Sequence, residues 1–264
     1  NSTIDGNLTL LSGGTITDTN GSTVTVQGTL TATTDASASA ITLNDLAVTG
    51  VFTLAPNGTG AVTIVNAAGL NLAASTMGGT FSGTATTGNI TQSGALTITG
   101  TSTLVTSADN ATITLNDAGN TFTGKLLITT NDTGSQTDGD AAIDGGTTNL
   151  ILGASTIDGD LTLLSGGTIT DDGIATVRGT LTATTDLNSK IITLDQLAVT
   201  GALTLAPDGT GAVTIVNAAG LNLAASTMGG TFSGTATTGD ISDSGSLAIT
   251  GASTFITTAN NRSI

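Results

Sequence analysis

Aspartate is the one residue type in this chain present in numbers and able to do acid, base or metal chemistry. All 19 acidic residues are Asp, against four bases, Lys125, Arg178, Lys190 and Arg262, with no His, Cys, Tyr or Trp. The densest acidic run is DGDAAIDGG, where Asp138, Asp140 and Asp144 offer the hard oxygen donors that calcium prefers. The spacing does not follow the nonapeptide calcium repeat or the EF-hand loop, so these three are weak calcium candidates and a solvated acidic turn is the expected reading. Nucleophilic triads of the common kinds need His or Cys and are unavailable. Paired carboxylates remain as a glycosidase option, but a sugar-cleaving cleft would add aromatic platforms, and the chain has only five Phe. The expectation is no enzyme, no catalytic residue and no cofactor.

Other short patterns carry less. GTGAV (58–62) and GGTFSG (78–83) resemble phosphate loops, yet neither contains Lys nor opens a helical pattern, so both read as turns. Thr-x-Thr runs at Thr15–Thr17, Thr23–Thr25, Thr97–Thr99 and Thr112–Thr114 raise an ice-binding Thr face, but their spacing is irregular and Thr suits any solvent-facing strand. A net charge of −15 disfavours nucleic acid, which needs clustered Lys and Arg. No apolar run is long enough to span a bilayer, so no membrane insertion is expected.

The elements that would position these residues are short. Apolar–polar–apolar triplets such as Leu8-Thr9-Leu10, Ile41-Thr42-Leu43, Val62-Thr63-Ile64 and Leu70-Asn71-Leu72 are closed by Gly, Asn or Asp. A period of two puts their apolar side chains on one face of a strand. Missing Glu and scarce Lys argue against helix.

The chain also repeats itself. Gly58 to Gly88 returns unchanged as Gly209 to Gly239, and STIDGNLTLLSGGTITD at Ser2 returns as STIDGDLTLLSGGTITD at Ser155. Repetition at long range predicts a repeat architecture. Short, numerous strands and a near absence of aromatics select an all-β parallel β-helix, or β-solenoid, right-handed, with rungs of roughly 20 residues; tandem β-sandwiches are the alternative. At about 4.8 Å per rung the rod would be roughly 60 Å long. Residues 1–112 form the first solenoid repeat, 113–153 connecting rungs with a polar loop at 131–146, and 154–264 the second repeat, in one continuous rod.

Differences between the copies assign positions. Asn7/Asp160, Asn57/Asp208 and Asn89/Asp240 are exchanges expected at solvated corners. Phe52/Leu203, Leu104/Phe255 and Val105/Ile256 stay apolar and are expected to point inward.

The strings NDAGNTFTG (116–124), LILGASTIDGDLTLLSGGTITDDG (150–173) and SGALTITGTSTLVT (93–106) resemble the large repetitive bacterial adhesins of the filamentous-haemagglutinin, β-strand-repeat type, exported by two-partner or autotransporter routes. That resemblance implies a right-handed parallel β-helix, a secreted or cell-surface location, and a structural role in an adhesin or extracellular filament. The expected partners are neighbouring repeats or identical subunits stacked end to end. The competing expectation is a binding module that recognises a glycan or host surface protein on one face or on the 131–146 loop.

Overall fold

The computed structural model describes residues 1–18, 21–131, 133–134 and 138–264. The triplets become strands whose burial alternates as their sequence does. In Leu30–Thr34, Leu30, Ala32 and Thr34 face inward while Thr31 and Thr33 face out. The inward faces cannot be satisfied within one strand, so each coil stacks on the one before it. Leu8 sits over Leu30, and Leu30 over Phe52, always in parallel. Among the described residues every strand pairing has this parallel sense, which two face-to-face antiparallel layers would not give.

The result is a β-solenoid of about 12 turns, with successive turns about 21 residues apart and no helix among the described residues. One sheet of 12 strands and one of 16 form its two long faces. Short strands make two further, separate ladders: one of three, Ser75–Met77, Leu96–Ile98 and Thr121–Phe122, and one of two, Ser226–Met228 and Leu247–Ile249. Twelve coils at about 4.8 Å give a rod roughly 58 Å long. Val51–Ala55 and Ala202–Pro207 lie seven strands apart in the 12-stranded sheet, so one sequence repeat is seven coils.

Stacking turns sequence identity into columns. Leu70, Ile90, Ile113 and Ala141 lie one above another inside the rod, followed by Leu161, Leu181 and Leu203. All are fully or nearly fully buried. A neighbouring column runs through Leu43, Ile64, Gly83 and Leu104. A Cβ on Gly83 would stand 2.7 Å from the Phe81 ring and 2.9 Å from Leu70, so this glycine makes room for an aromatic in a narrow core. Gly234 does the same for Phe232.

Two expectations need correction. Phe52, Leu203 and Leu104 are buried and Phe255 is half-buried against the core, but Val105 is only half-buried and Ile256 is 42% exposed. Positions 104 and 105 are adjacent in one strand, and a period of two sends only one of them inward. The polar loop is also shorter than 131–146. Asn131 closes the strand Leu126–Asn131, and Ala141–Asp144 is a strand because Ala141 and Ile143 complete the core column. The longer offset from Ile113 to Ala141 absorbs the insertion; residues 132 and 135–137 of that loop lie outside the described residues.

Candidate functional site: corners, groove and bulge carboxylates

Every Asp of the described residues lies in a turn, at a strand end or at one of two bulges in the 16-stranded sheet. At the corners the Asp and Asn side chains replace a missing rung of the backbone ladder. Asn7 Oδ1 accepts the amide of Thr29 at 2.9 Å, and Asp160 Oδ1 accepts that of Thr180 at 2.6 Å. Asn89 accepts from Thr112 at 2.9 Å, and Asp240 from Ser263 at 3.0 Å. Only an acceptor oxygen is needed, and amide and carboxylate both supply one. That is why Asn7/Asp160 and Asn89/Asp240 exchange between copies, whereas Asn57, which Asp208 replaces, donates its Nδ2 to the Asp35 carbonyl.

The same device works inside the rod. Asn66 is fully buried where the strand Ile41–Val48 ends; its Oδ1 accepts the Val48 amide at 2.8 Å, and its Nδ2 donates to the carbonyls of Val48 at 2.9 Å and Gly69 at 2.6 Å. Asn217 repeats the arrangement with Val199 and Gly220. Asn120 reaches across three coils, accepting from Leu96 at 2.8 Å and donating to Asp144 O at 3.1 Å, with the Gln92 amide beside it. Ser75, Ser155 and Ser226 each accept a core amide and return a hydrogen bond two residues back. A buried unpaired amide or carbonyl costs about 1–3 kcal/mol, so these side chains set where the chain turns. Sequence reading missed them, since Asn and Ser looked like turn residues; their recurrence at fixed distance after an apolar triplet, Val62-Thr63-Ile64-Val65-Asn66 and again at Asn217, was the available signal.

The three calcium candidates do not converge. Asp138 is exposed. Asp140 accepts the amide of Asp160 at 2.8 Å, a corner rung like the others. Asp144 is buried and turned onto its own turn, accepting the Gly146 amide at 2.8 Å. Burial pushes its carboxyl above the ordinary range, the Gly146 amide pulls it down, and Asp186 and Asp117 push it up. Among the described residues no group of three or more potential ligands gathers at one point.

Two surface features remain. The 12-stranded face of the second copy borders an open groove of about 670 Å³, whose hydroxyls and carboxylates come from Thr184, Asp186, Asp208, Thr227 and Thr250. On the 16-stranded face, Thr17, Thr42, Thr63, Ser82 and Thr103 form one outward column, matched by Thr170, Thr193, Thr214, Ser233 and Thr254. Of the Thr-x-Thr runs only Thr17 joins this column; Thr25, Thr97 and Thr114 stand in three other columns. The adjacent outward column mixes Val65, Thr84, Val105 and Thr129, so the face is not a uniform hydroxyl array.

The chain matches no curated protein and no solved structure. A family model of repeats matches residues 1–55, 59–129, 138–206 and 210–264. Two of the intervals between matches fall at the turns Pro56-Asn57-Gly58 and Pro207-Asp208-Gly209, and the third covers the polar loop, so the family unit is bounded by corners of the solenoid. The chain belongs to the family described as Repeats of unknown function (DUF5649).

Proposed function

We propose that this chain is a structural segment of a secreted bacterial surface adhesin or extracellular filament, a stiff rod with no catalytic role. The observation that carries the reading is continuity: both copies share one apolar interior and one set of main-chain ladders over about 12 turns. A rod whose coils are joined by parallel backbone hydrogen bonds resists bending at every rung, which suits a stalk. Acid concentrated at turns and strand ends gives neighbouring rods like-charged edges that keep them apart at low salt. Neighbouring repeats or identical subunits stacked on the coil ends are the partners this role calls for.

The location is tested by raising antibodies against the purified rod and labelling intact cells of the source bacterium. Surface labelling is the expected outcome, and signal only after cell lysis would overturn it. Titration with calcium is expected to leave the melting temperature unchanged; a rise would restore Asp138 or Asp140 as ligands.

A binding module is the second reading, favoured by the groove at Asp186 and Asp208. Its hydroxyl and carboxylate lining suits a neutral or amino-bearing glycan. Asp186→Ala with Asp208→Ala would abolish glycan-array binding if the groove is a site, and would leave a pure stalk unchanged.

A further inference from the structure

Corner length varies from coil to coil, and one corner is much shorter than its neighbours. Between the two long sheets the chain crosses in five residues at 145–149, in three at 166–168 and in six at 186–191. Backbone hydrogen bonds stack these corners on one another: the Gly166 amide donates to Gly146 at 2.6 Å, and the Asp186 amide to Ser165 at 3.1 Å. Gly167 lies so close on the turn before it that a Cβ would collide with the Thr148 and Asn149 backbone. A short corner between two long ones leaves a notch, and a cavity of about 380 Å³ lies there. That is within the roughly 300–1,000 Å³ usual for small-molecule sites.

The lining of this notch is rich in donors and holds no carboxylate. Asn149 Oδ1 accepts the Thr168 amide at 3.0 Å, which fixes the side chain and leaves Nδ2 without a partner among the described residues. The hydroxyls of Thr123 and Thr147 are unpartnered in the same sense, and Ile151 supplies an apolar strip. Lys190 lines the notch from the six-residue corner. It makes no ion pair among the described residues, whereas Lys125 is engaged by Asp172 at 2.6 Å and Arg178 by Asp158 at 3.5 Å.

The two copies part at this corner. LTATTD before it and ITL after it are identical, but ASASA (36–40) becomes LNSKI (187–191). Ser39 is buried and neutral; its counterpart Lys190 is half-buried and charged. The turn itself does not need the cation. The Thr185 hydroxyl donates to the Lys190 carbonyl at 3.5 Å, just as Thr34 donates to that of Ser39 at 3.3 Å.

We propose that the notch binds a sugar carrying a carboxylate, with Lys190 pairing the carboxylate and Thr123, Thr147 and Asn149 meeting the ring hydroxyls. Hydroxyl and amide groups around one cation match a sugar ring better than an acidic peptide side chain, which offers little beyond its carboxylate. One ammonium matches one negative charge, and a net charge of −15 repels a polyanion. Two acids share the corner without lining the notch: Asp144 accepts the Gly146 amide at 2.8 Å, and Asp186 lies over Gly166. They add to that repulsion and hold the ligand to a single acidic group. The site does not depend on the rod being a stalk, and it shares no lining residue with the groove at Asp186 and Asp208.

Titration of the intact protein with methyl glucuronide, followed by NMR amide shifts, tests the site. Saturable shifts are expected at Thr147, Asn149, Gly167 and Lys190, and none with methyl glucoside, which lacks the carboxylate. Lys190→Ser should weaken binding by about tenfold or more, the loss expected for one charge-assisted hydrogen bond. Asp208→Ala, in the neighbouring groove, should leave it unchanged. Absence of a saturable shift, an equal response to the two sugars, or unchanged affinity in a folded Lys190→Ser variant would overturn the proposal. An equal response to a blocked glutamate would overturn it too, since any carboxylate would then do.

Discussion

The two copies of the repeat occupy the same solenoid seven coils apart, and their differences fall into three kinds with different consequences. The corner exchanges Asn7/Asp160 and Asn89/Asp240 preserve one acceptor oxygen and change only charge. Core exchanges change volume, and the neighbours decide whether that matters. The bulge exchange, Asn44 for Asp195, goes with a change of hydrogen bonding: Asp18 accepts one bulge amide, from Asp45, where Asp171 accepts two, from Asp195 and Gln196. One fold therefore tolerates the first kind, adjusts to the second and re-routes backbone hydrogen bonds for the third.

The largest expected effect concerns what the copies share. Asn66→Ala would leave the Val48 amide and carbonyl and the Gly69 carbonyl buried without partners, at a cost of about 3 kcal/mol or more. Asn217→Ala should cost the same, because its three bonds repeat those distances. Urea denaturation of both variants checks the equality, and unequal losses would show that the copies do not bear equal weight.

Next comes a swap that the copies should not tolerate equally. Phe255 packs its ring 5.3 Å from Phe232 at a half-buried position. Leu104 is fully buried between Gly83 and Ile128. Leu104→Phe should therefore overpack the first copy by about 1–3 kcal/mol. Phe255→Leu, free to relax at a looser site, should cost less in the same thermal melts.

The pH response comes third. Asp144 and Asp171 both have carboxyls held above the ordinary range. A raised value in the folded state means the stabilisation is complete below the unfolded value of 3.8 and is lost as pH climbs through the folded value. The melting temperature should thus fall as pH rises from about 4 toward 7, opposite to ordinary acid denaturation. A melting temperature that rises over that range would contradict the assignment. Because both groups lie in or after the connecting coil, a fragment carrying only the first repeat, if it folds, should show a smaller response.

The smallest effect is a gain. Ala38 and Ser189 sit at matching corners with φ of 61° and 63°, a left-handed conformation that L side chains adopt at a cost. Ala38→Gly and Ser189→Gly should each add about 0.5–1 kcal/mol, since glycine removes that strain at some entropic expense. Calorimetry would detect it, and a loss at either position would mean the corner is held by something other than backbone geometry.

Much of this architecture was legible beforehand. Triplets such as Val62-Thr63-Ile64 announce a strand with one apolar face, and their return at seven-coil distance announces stacking. The corner exchanges were legible too, because Asn and Asp share an acceptor. What escaped was whatever depends on register between coils. Val105 and Ile256 look as apolar as Leu104, and only the alternation of a continuous strand turns them outward. The Thr column from Thr17 to Thr103 is hidden by unequal coil lengths. The work of Asn66 and Asp171 appears only when the amides they satisfy, one coil away, are known. Sites of this kind are set by stacking, which no local pattern encodes.

The central claim is that both copies belong to one continuous stack of coils. The chain has no cysteine, so spin labels can be placed cleanly at Thr63→Cys and Thr214→Cys, equivalent outward positions seven coils apart. Electron–electron dipolar spectroscopy should return a single narrow distance near 34 Å, seven rungs at about 4.8 Å, broadened only by the label arms. A broad distribution, or a distance far from that value, would mean the copies are separate bodies and that no single rod exists.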